Sequence, residues 1–371
     1  MTKKWVNIAD VLFFQEGPGV RNTQYTTSGV KLLNVANLVD GKVDLSKSDR
    51  YISEEEAYGK YRHFLCDDGD FVIASSGIKV EYIDKKMGFV DASMLPLCMN
   101  TSTIRFKVLD ENQLRIRYFM YYLKSKHFKE QLTKQITGSA QLNYGPSHLK
   151  KMIMPLIDIT VQDEIISCMD KLQSIIETRQ RELIELDRLM KARFVELFGD
   201  PRSNPFGFEK KRLKDTCKVI TGNTHSRAIA EYYGDYIEWI KTDNIVSGIL
   251  NPTQATESLS EKGMNVGRTV EKDSILMACI AGSIASIGRV CITDRTVAFN
   301  QQINAVVPEQ YNILFLYVLF QMSKDYLVED INMALKGILS KSKLEEKEFI
   351  IPPMDLQEQF SDFVKQVNKS K

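Results

Sequence analysis

Apolar positions along this chain follow two kinds of pattern, and the longer one lies in the middle. From about Thr160 to Phe198 apolar residues recur at seven-residue steps: Met169, Ile176, Leu183, Met190 and Leu197. A second series holds Ile165, Leu172 and Leu186, interrupted by Arg179 and Arg193. Charged residues such as Glu177, Arg181, Glu182, Glu185 and Asp187 flank the stripe. Heptads sustained over this length predict a coiled-coil-forming helix, with a long amphipathic helix lying on a domain surface as the plainer alternative. Gly199-Asp200-Pro201 ends it, because glycine takes a left-handed cap and proline cannot continue a helix.

On both sides of that helix the pattern is one of short apolar runs closed by turn residues, and it occurs twice. Residues 30–41 (VKLLNVANLVDG) parallel residues 237–248 (IEWIKTDNIVSG), each read as a strand leading to a polar turn that ends at glycine. Residues 65–77 (LCDDGDFVIASSG) parallel 270–282 (VEKDSILMACIAG), where an acidic turn feeds a buried strand. Residues 114–125 (LRIRYFMYYLKS) parallel 314–324 (LFLYVLFQMSK), two aromatic-rich helices. Each copy closes on a β-branched run that meets proline and then a glutamine: Ile153-Met154-Pro155 with Gln162, and Ile350-Ile351-Pro352-Pro353 with Gln357. Proline there stops the strand and lets a helix begin. A spacing of roughly 195 residues is too long for a solenoid repeat and suits duplicated domains. The chain therefore reads as α+β, with two tandem repeated globular domains at 1–157 and 200–353. A long spacer helix occupies 158–199. A second, shortened helix at 354–371 carries Phe360, Phe363, Val364 and Val367.

Composition narrows the class of function. With 371 residues and 43% hydrophobic content the chain can bury two real cores. No apolar run approaches bilayer length, and Met1-Thr2-Lys3-Lys4-Trp5 lacks the apolar core of a secretion signal, so the cytoplasm is expected. Forty-nine Lys+Arg stand against 48 Asp+Glu, so any nucleic-acid binding must rest on local charge or on partners. Cys66, Cys98, Cys168, Cys217, Cys279 and Cys291 are single, with no C-x-x-C pair, and are expected to be buried free thiols. Four dispersed histidines show no zinc site, and no cofactor is implied.

Catalytic signatures are missing. There is no phosphate loop of the Walker type and no G-x-G-x-x-G turn. Residues 282–288 (GSIASIG) read as a tight sheet turn, and Asn204-Pro205-Phe206 reads as a linker rather than a methyltransferase tetrapeptide. Asp235 with Glu238 and Lys241 misses a nuclease spacing by one residue. No Ser-His-Asp or Cys-His arrangement is evident. Duplicated domains without chemistry point to recognition.

The order of these features resembles the specificity subunits of type I restriction–modification systems. The resemblance is carried by residues 151–155 (KMIMP) through Gln162, by Leu197-Phe198-Gly199-Asp200-Pro201, and by Ile350-Ile351-Pro352-Pro353 with 357–360 (QEQF), and it covers the whole chain. It implies a non-catalytic subunit whose two target-recognition domains each read one half of a bipartite site in double-stranded DNA. It also implies two helices packed antiparallel as a spacer, methyltransferase subunits docked on that region, and a nuclease/translocase subunit that joins for cleavage. A helix of ~38 residues at ~1.5 Å rise is ~57 Å long, enough to hold two readers on separate major-groove faces ~34–36 Å apart. Base edges are read by Arg, Lys, Asn, Gln, Ser and Thr at strand ends. The candidates in the first domain are Arg21, Asn22, Asn34, Asn37, Ser75, Ser76, Lys79, Gln141, Asn143 and Tyr144. Those in the second are Thr224, His225, Ser226, Arg227, Lys241, Thr242, Asn244, Arg289, Asn300, Gln301, Gln302 and Lys336. The short second helix departs from the family pattern and is read as a natural short form or an artificial truncation, with weakened methyltransferase docking at one end. Two other readings stay open: a stand-alone duplicated DNA-binding or assembly protein, and an enzyme without a recognisable motif.

Overall fold

The computed structural model describes residues 4–135, 143–331 and 337–371. The chain forms two compact units, residues 1–177 and 178–371. The paired sequence patterns fold alike in both. In the first unit an antiparallel sheet has the order Leu12–Glu16, Thr103–Val108, Phe71–Ala74, Met87–Phe89. In the second the same order is built by Cys217–Thr221, Ile303–Pro308, Ile275–Ala278 and Val290–Ile292.

The strands Phe71–Ala74 and Ile275–Ala278 are buried along their whole length, and the period-2 geometry of a strand sends alternate side chains to two cores. Phe71 and Ile73 join Phe106 and Phe119 beneath the aromatic helix Ile116–Leu123. Val72 and Ala74 face Leu33, Leu97 and Met99 on the other side. In the second unit Ile275 and Met277 pack under the helix Ile313–Met322, while Leu276 and Ala278 meet Ile240 and Phe299. The second core in each unit lies against a second sheet with a parallel pair, Val30–Leu33 with Leu97–Met99 and Tyr233–Ile240 with Val297–Phe299.

The proline boundary differs between the copies. The strand Ile153–Leu156 runs through Pro155, which lies opposite Trp5 of Lys4–Asn7; proline there does not stop the strand, contrary to expectation. The pair has only two strands, so each has a free edge on which a residue without N–H is tolerated. In the second copy the strand Glu348–Ile350 does end before Pro352 and Pro353.

The glutamine after each boundary is a clamp. Gln162 is buried; its Oε1 accepts from Arg115 N (2.9 Å), and its Nε2 donates to Gln113 O (2.8 Å) and Ile157 O (2.9 Å). Gln357 repeats this with Asn312 N (2.9 Å) and Pro352 O (2.8 Å). Each ties the start of an aromatic helix to the boundary segment. Alanine at either position leaves buried backbone groups unpaired, so unfolding in urea should show a loss of about 1–3 kcal/mol from the unit concerned.

The long helix is continuous over Ile159–Phe198, which at ~1.5 Å per residue is about 60 Å. Gly199, at φ +71°, closes it; a Cβ there would come 2.3 Å from Pro205 Cγ. Within the second unit, Met190, Phe194 and Phe198 are buried against the C-terminal helix Met354–Ser370. Phe360 lies 5.5 Å from Phe194 and 5.6 Å from Phe198 between ring centroids. Lys371 pairs with Asp187. Rising numbers on one helix meet falling numbers on the other, so the two run antiparallel. Elsewhere the stripe is uncovered: Leu172, Ile175, Ile176, Leu183 and Ile184 are exposed, Met169 is half-buried and Ile165 packs on the first unit's core.

Five of the six cysteines are buried, but Cys168 is exposed on the long helix, which corrects the expectation of six buried thiols. Burial pushes Cys66, Cys98, Cys217, Cys279 and Cys291 up to about 12, far from thiolate at neutral pH. A maleimide or disulfide reagent should therefore modify one thiol per native chain rapidly and the other five only on denaturation. Two or more fast thiols would contradict the structure.

Candidate nucleic-acid interface

At one end of each main sheet the fold gathers segments that are far apart in sequence. In the first unit Gly17 N donates to Thr103 O (2.9 Å), Ser75 N to Ser102 O (2.8 Å) and Tyr144 N to Ser75 O (3.0 Å). In the second, Gly222 N donates to Ile303 O (3.0 Å), Cys279 N to Gln302 O (2.8 Å) and Leu339 N to Cys279 O (2.8 Å). Both loops leave the sheet over a glycine for a steric reason. A Cβ on Gly17 would lie 2.1 Å from Asn100 O, and one on Gly222 would lie 2.1 Å from Asn300 O. Asn100 and Asn300 in turn donate from their backbone N to Leu33 O and Ile240 O, 3.0 Å each.

This scaffold sorts the candidates chosen from sequence. Asn34, Asn37, Ser75, Tyr144, His225, Asn244 and Asn300 are buried, and their polar atoms hold the loops. Asn37 Oδ1 accepts from Asn34 N (2.9 Å) while its Nδ2 donates to Asp44 O (3.0 Å). Asn244 does the same with Lys241 N (3.0 Å) and Gln254 O (3.1 Å). Asn34 Oδ1 accepts from Asn100 Nδ2 (2.8 Å), Ser75 Oγ donates to Glu16 Oε1 (3.1 Å), and Tyr144 OH donates to Ala74 O (3.0 Å). His225 Nε2 bonds Gly263 O at 2.9 Å, and Asn300 Oδ1 accepts from Gln302 N (3.1 Å). In this conformation these seven side chains shape the interface and do not present themselves to a ligand.

The other candidates stand at the surface. Arg21, Asn22, Lys79, Asn143, Thr224, Ser226, Arg227 and Gln301 are exposed, and Ser76, Lys241, Thr242, Arg289 and Gln302 are half-buried. Gln141 and Lys336 lie outside the described residues. Asp235 is exposed, whereas Glu238 is paired with Arg295 and Lys241 with Glu257, so the three do not form a carboxylate–lysine cluster. Among the described residues no group of His, Cys, Asp or Glu is placed to hold a metal ion, and no helix is long and apolar enough to cross a membrane. The segment 282–288 is a sheet-end loop with one 3₁₀ turn at Ile284–Ser286, longer than a tight turn.

Sequence reasoning missed the aromatic platforms beside these loops. Arg50 lies over the Tyr25 ring at 5.2 Å. Arg227 lies over Tyr233 at 4.7 Å and Lys241 over Trp239 at 5.1 Å, close enough for cation–π attraction. Asn100 was missed too, although aligning Cys98-Met99-Asn100 with Ala298-Phe299-Asn300 would have found it. The two repeats differ in charge at one matched position: Leu32 N donates to Arg50 O (2.8 Å) where Trp239 N donates to Glu257 O (3.0 Å). Glu257 draws both Arg227 and Lys241 into ion pairs. Hydrogen bonds from Lys241 and then Arg227 hold its carboxyl below the usual glutamate range. A depressed folded value means that the pairs stabilise fully above the unfolded glutamate pKa and fade as pH falls through the folded one. At neutral pH the clamp is closed. Glu257→Gln should release both cations and remove this acid-side loss of stability; a stability–pH profile unchanged by the substitution would refute the clamp.

Against this geometry the comparisons are decisive for the family. The profile described as the type I restriction modification DNA specificity domain matches residues 18–188 and again 205–371. The chain belongs to that family. Among its relatives, the type I restriction enzyme HindI specificity subunit of Haemophilus influenzae is 32% identical over 146 residues, 38% of this chain and 31% of that protein. The MjaVIII specificity subunit of Methanocaldococcus jannaschii is 22% identical over 50% of this chain and 43% of its own. The MjaIX subunit of the same organism is 22% identical over 75% of this chain and 68% of its own. The matched region thus spans less than half of the first two curated relatives. The fold is similar to the crystal structure of a type I restriction–modification S subunit from M. genitalium (TM-score 0.56, 15% identity, 100% of this chain and 90% of that one). It is also similar to a chain solved in work on complex assembly and conformational transition of the type I system (TM-score 0.54, 14% identity, 99% and 90%). The family's role is DNA specificity, and the named relatives are specificity subunits rather than catalytic ones.

Proposed function

We propose that the chain reads a bipartite DNA target, each repeat taking one half, and that methyltransferase subunits dock on its helical region. The observation that carries the first part is the duplicated sheet end: the same scaffold of a close-packed glycine and a buried asparagine presents different exposed side chains in the two units. Arg21, Asn22, Lys79 and Asn143 serve the first half-site, and Thr224, Ser226, Arg227, Gln301 and the half-buried Lys241 serve the second. Gln141 and Lys336 extend the two sets. Arg and Lys are suited to guanine, Asn and Gln to adenine. A helix of about 60 Å supplies the ruler for the unread gap. Docking is supported by the exposed apolar stripe Leu172, Ile175, Ile176, Leu183 and Ile184, large side chains grouped along one stretch of helix. A nuclease/translocase subunit would join the assembled complex.

The test is selection from a random duplex pool, with and without a type I methyltransferase subunit, followed by sequencing. A motif in two parts with a constant gap, sharpened by the methyltransferase, is the expected result. A single contiguous motif would favour a stand-alone DNA-binding protein, and enrichment of nothing would remove the DNA-reading role.

A further inference from the structure

The second unit contains a groove of about 230 Å³ where the last part of the long helix passes the main sheet; its polar lining is Asp187, Lys191, Ser247, Arg289, Gln321 and Lys324. Arg227 and Lys241 are neutralised by Glu257, but the cations of this groove are not. Lys191 is exposed and makes no ion pair or hydrogen bond among the described residues. Arg289 uses only its Nε, which donates to Ser286 O (3.2 Å), leaving the outer nitrogens of its guanidinium fork unengaged. Lys324 Nζ donates to Ala285 O (2.6 Å), a neutral acceptor that leaves its charge uncompensated. The one acid in the lining, Asp187, already has Lys371 as its partner. In the first unit the lysine reaching the corresponding loop, Lys129, bonds Glu81 O but is also paired with Asp84 at 2.9 Å. Of these two matched lysines, the uncompensated one is Lys324 of the second unit.

We propose that this groove seats a phosphate group, and that in the working protein the phosphate is one of the sugar–phosphate backbone of bound DNA. This rests on the DNA-reading role but adds a contact outside the reading loops. A guanidinium fork and two ammonium groups around one cavity are the donor set that phosphate oxygens take. At about 30 Å³ per water the groove has room for several waters, hence for a phosphate with part of its hydration. Lys191 lies on the long helix, Arg289 at the end of the loop that enters the strand Val290–Ile292, and Lys324 at the start of the short helix Lys324–Val328. One phosphate held by all three would fix the helix against the duplex, independent of base sequence. Arg289, offered by the sequence as a base reader, acts here on the backbone.

The test uses the full chain with Lys191→Ala, Arg289→Ala and Lys324→Ala, singly and combined, and Asp187→Asn as a gain-of-binding variant. DNA affinity is measured against salt on the selected target and on a random duplex, and inorganic phosphate is titrated separately. The combined variant should lose about tenfold in affinity on both duplexes and flatten the log–log salt slope by about one, with its sequence preference kept. Asp187→Asn should bind both duplexes more tightly, a gain that misfolding cannot produce. Unchanged affinity and slope in all variants would overturn the DNA-backbone assignment. If phosphate binding is nevertheless lost in the combined variant, the ligand is a free phosphate compound and the assignment to DNA falls. Should the wild-type chain bind no DNA, the reading role fails separately. The groove is then decided by phosphate alone: saturable binding abolished in the combined variant upholds the seat, and no binding overturns it.

Discussion

Gly222→Ala should unfold the loops at the sheet end of the second repeat, and Gly17→Ala should do the same in the first. The added methyl would sit 2.1 Å from a backbone carbonyl oxygen in each case, inside any attainable contact distance. Neither wall can yield cheaply. Asn300 is held by its backbone bond to Ile240 O and Asn100 by its bond to Leu33 O, and both lie beside strands buried on two faces. Overpacking of an ordinary core costs about 1–3 kcal/mol. Here the obstacle is backbone, so the loss should pass about 4 kcal/mol, the range of exceptional substitutions. Urea unfolding followed separately by tryptophan fluorescence and by DNA affinity would measure it. A loss under about 1 kcal/mol would mean that the loops do not leave the sheet in the way described.

Phe360→Ala is the second large effect expected. The side chain is fully buried and meets Phe194, Phe198 and Phe315 edge-on. Deleting a buried phenyl group costs about 3–5 kcal/mol through lost transfer energy and the cavity left behind. Because a domain is stable by only about 5–15 kcal/mol, that one change should bring the second unit close to its threshold. Removal of residues 354–371 also strips away Val364, Val367 and the Gln357 clamp, and should abolish folding of the unit. A deletion variant with an unchanged thermal transition would show that the C-terminal helix is an accessory rather than part of the core.

The duplicated architecture, the long helix and the paired aromatic helices were legible because periodicity and repetition are properties of a string. The interface was legible only as a set of segments. Asn37 and Asn244 were found, yet nothing local distinguishes an asparagine that bonds its own turn from one that faces outward; that depends on Asp44 and Gln254 arriving from elsewhere. Glu257 was invisible for the same reason, since its partners Arg227 and Lys241 are brought to it only by the strand pairing around Trp239. Pro155 shows the reverse error. A strong local rule was overridden because its strand has a free edge.

The division of labour between buried asparagines and exposed neighbours bears on how such a protein changes over generations. The residues that hold the loops are not the ones available to a ligand, and exposed substitutions away from caps and cores usually shift stability by no more than about 0.5 kcal/mol. Arg21, Asn22, Thr224 or Gln301 can be replaced while Gly17, Gly222 and the asparagine turns keep the frame. Preference can thus drift by single steps, each passing through a folded protein, and the two halves can drift apart from a common ancestor without either losing its shape.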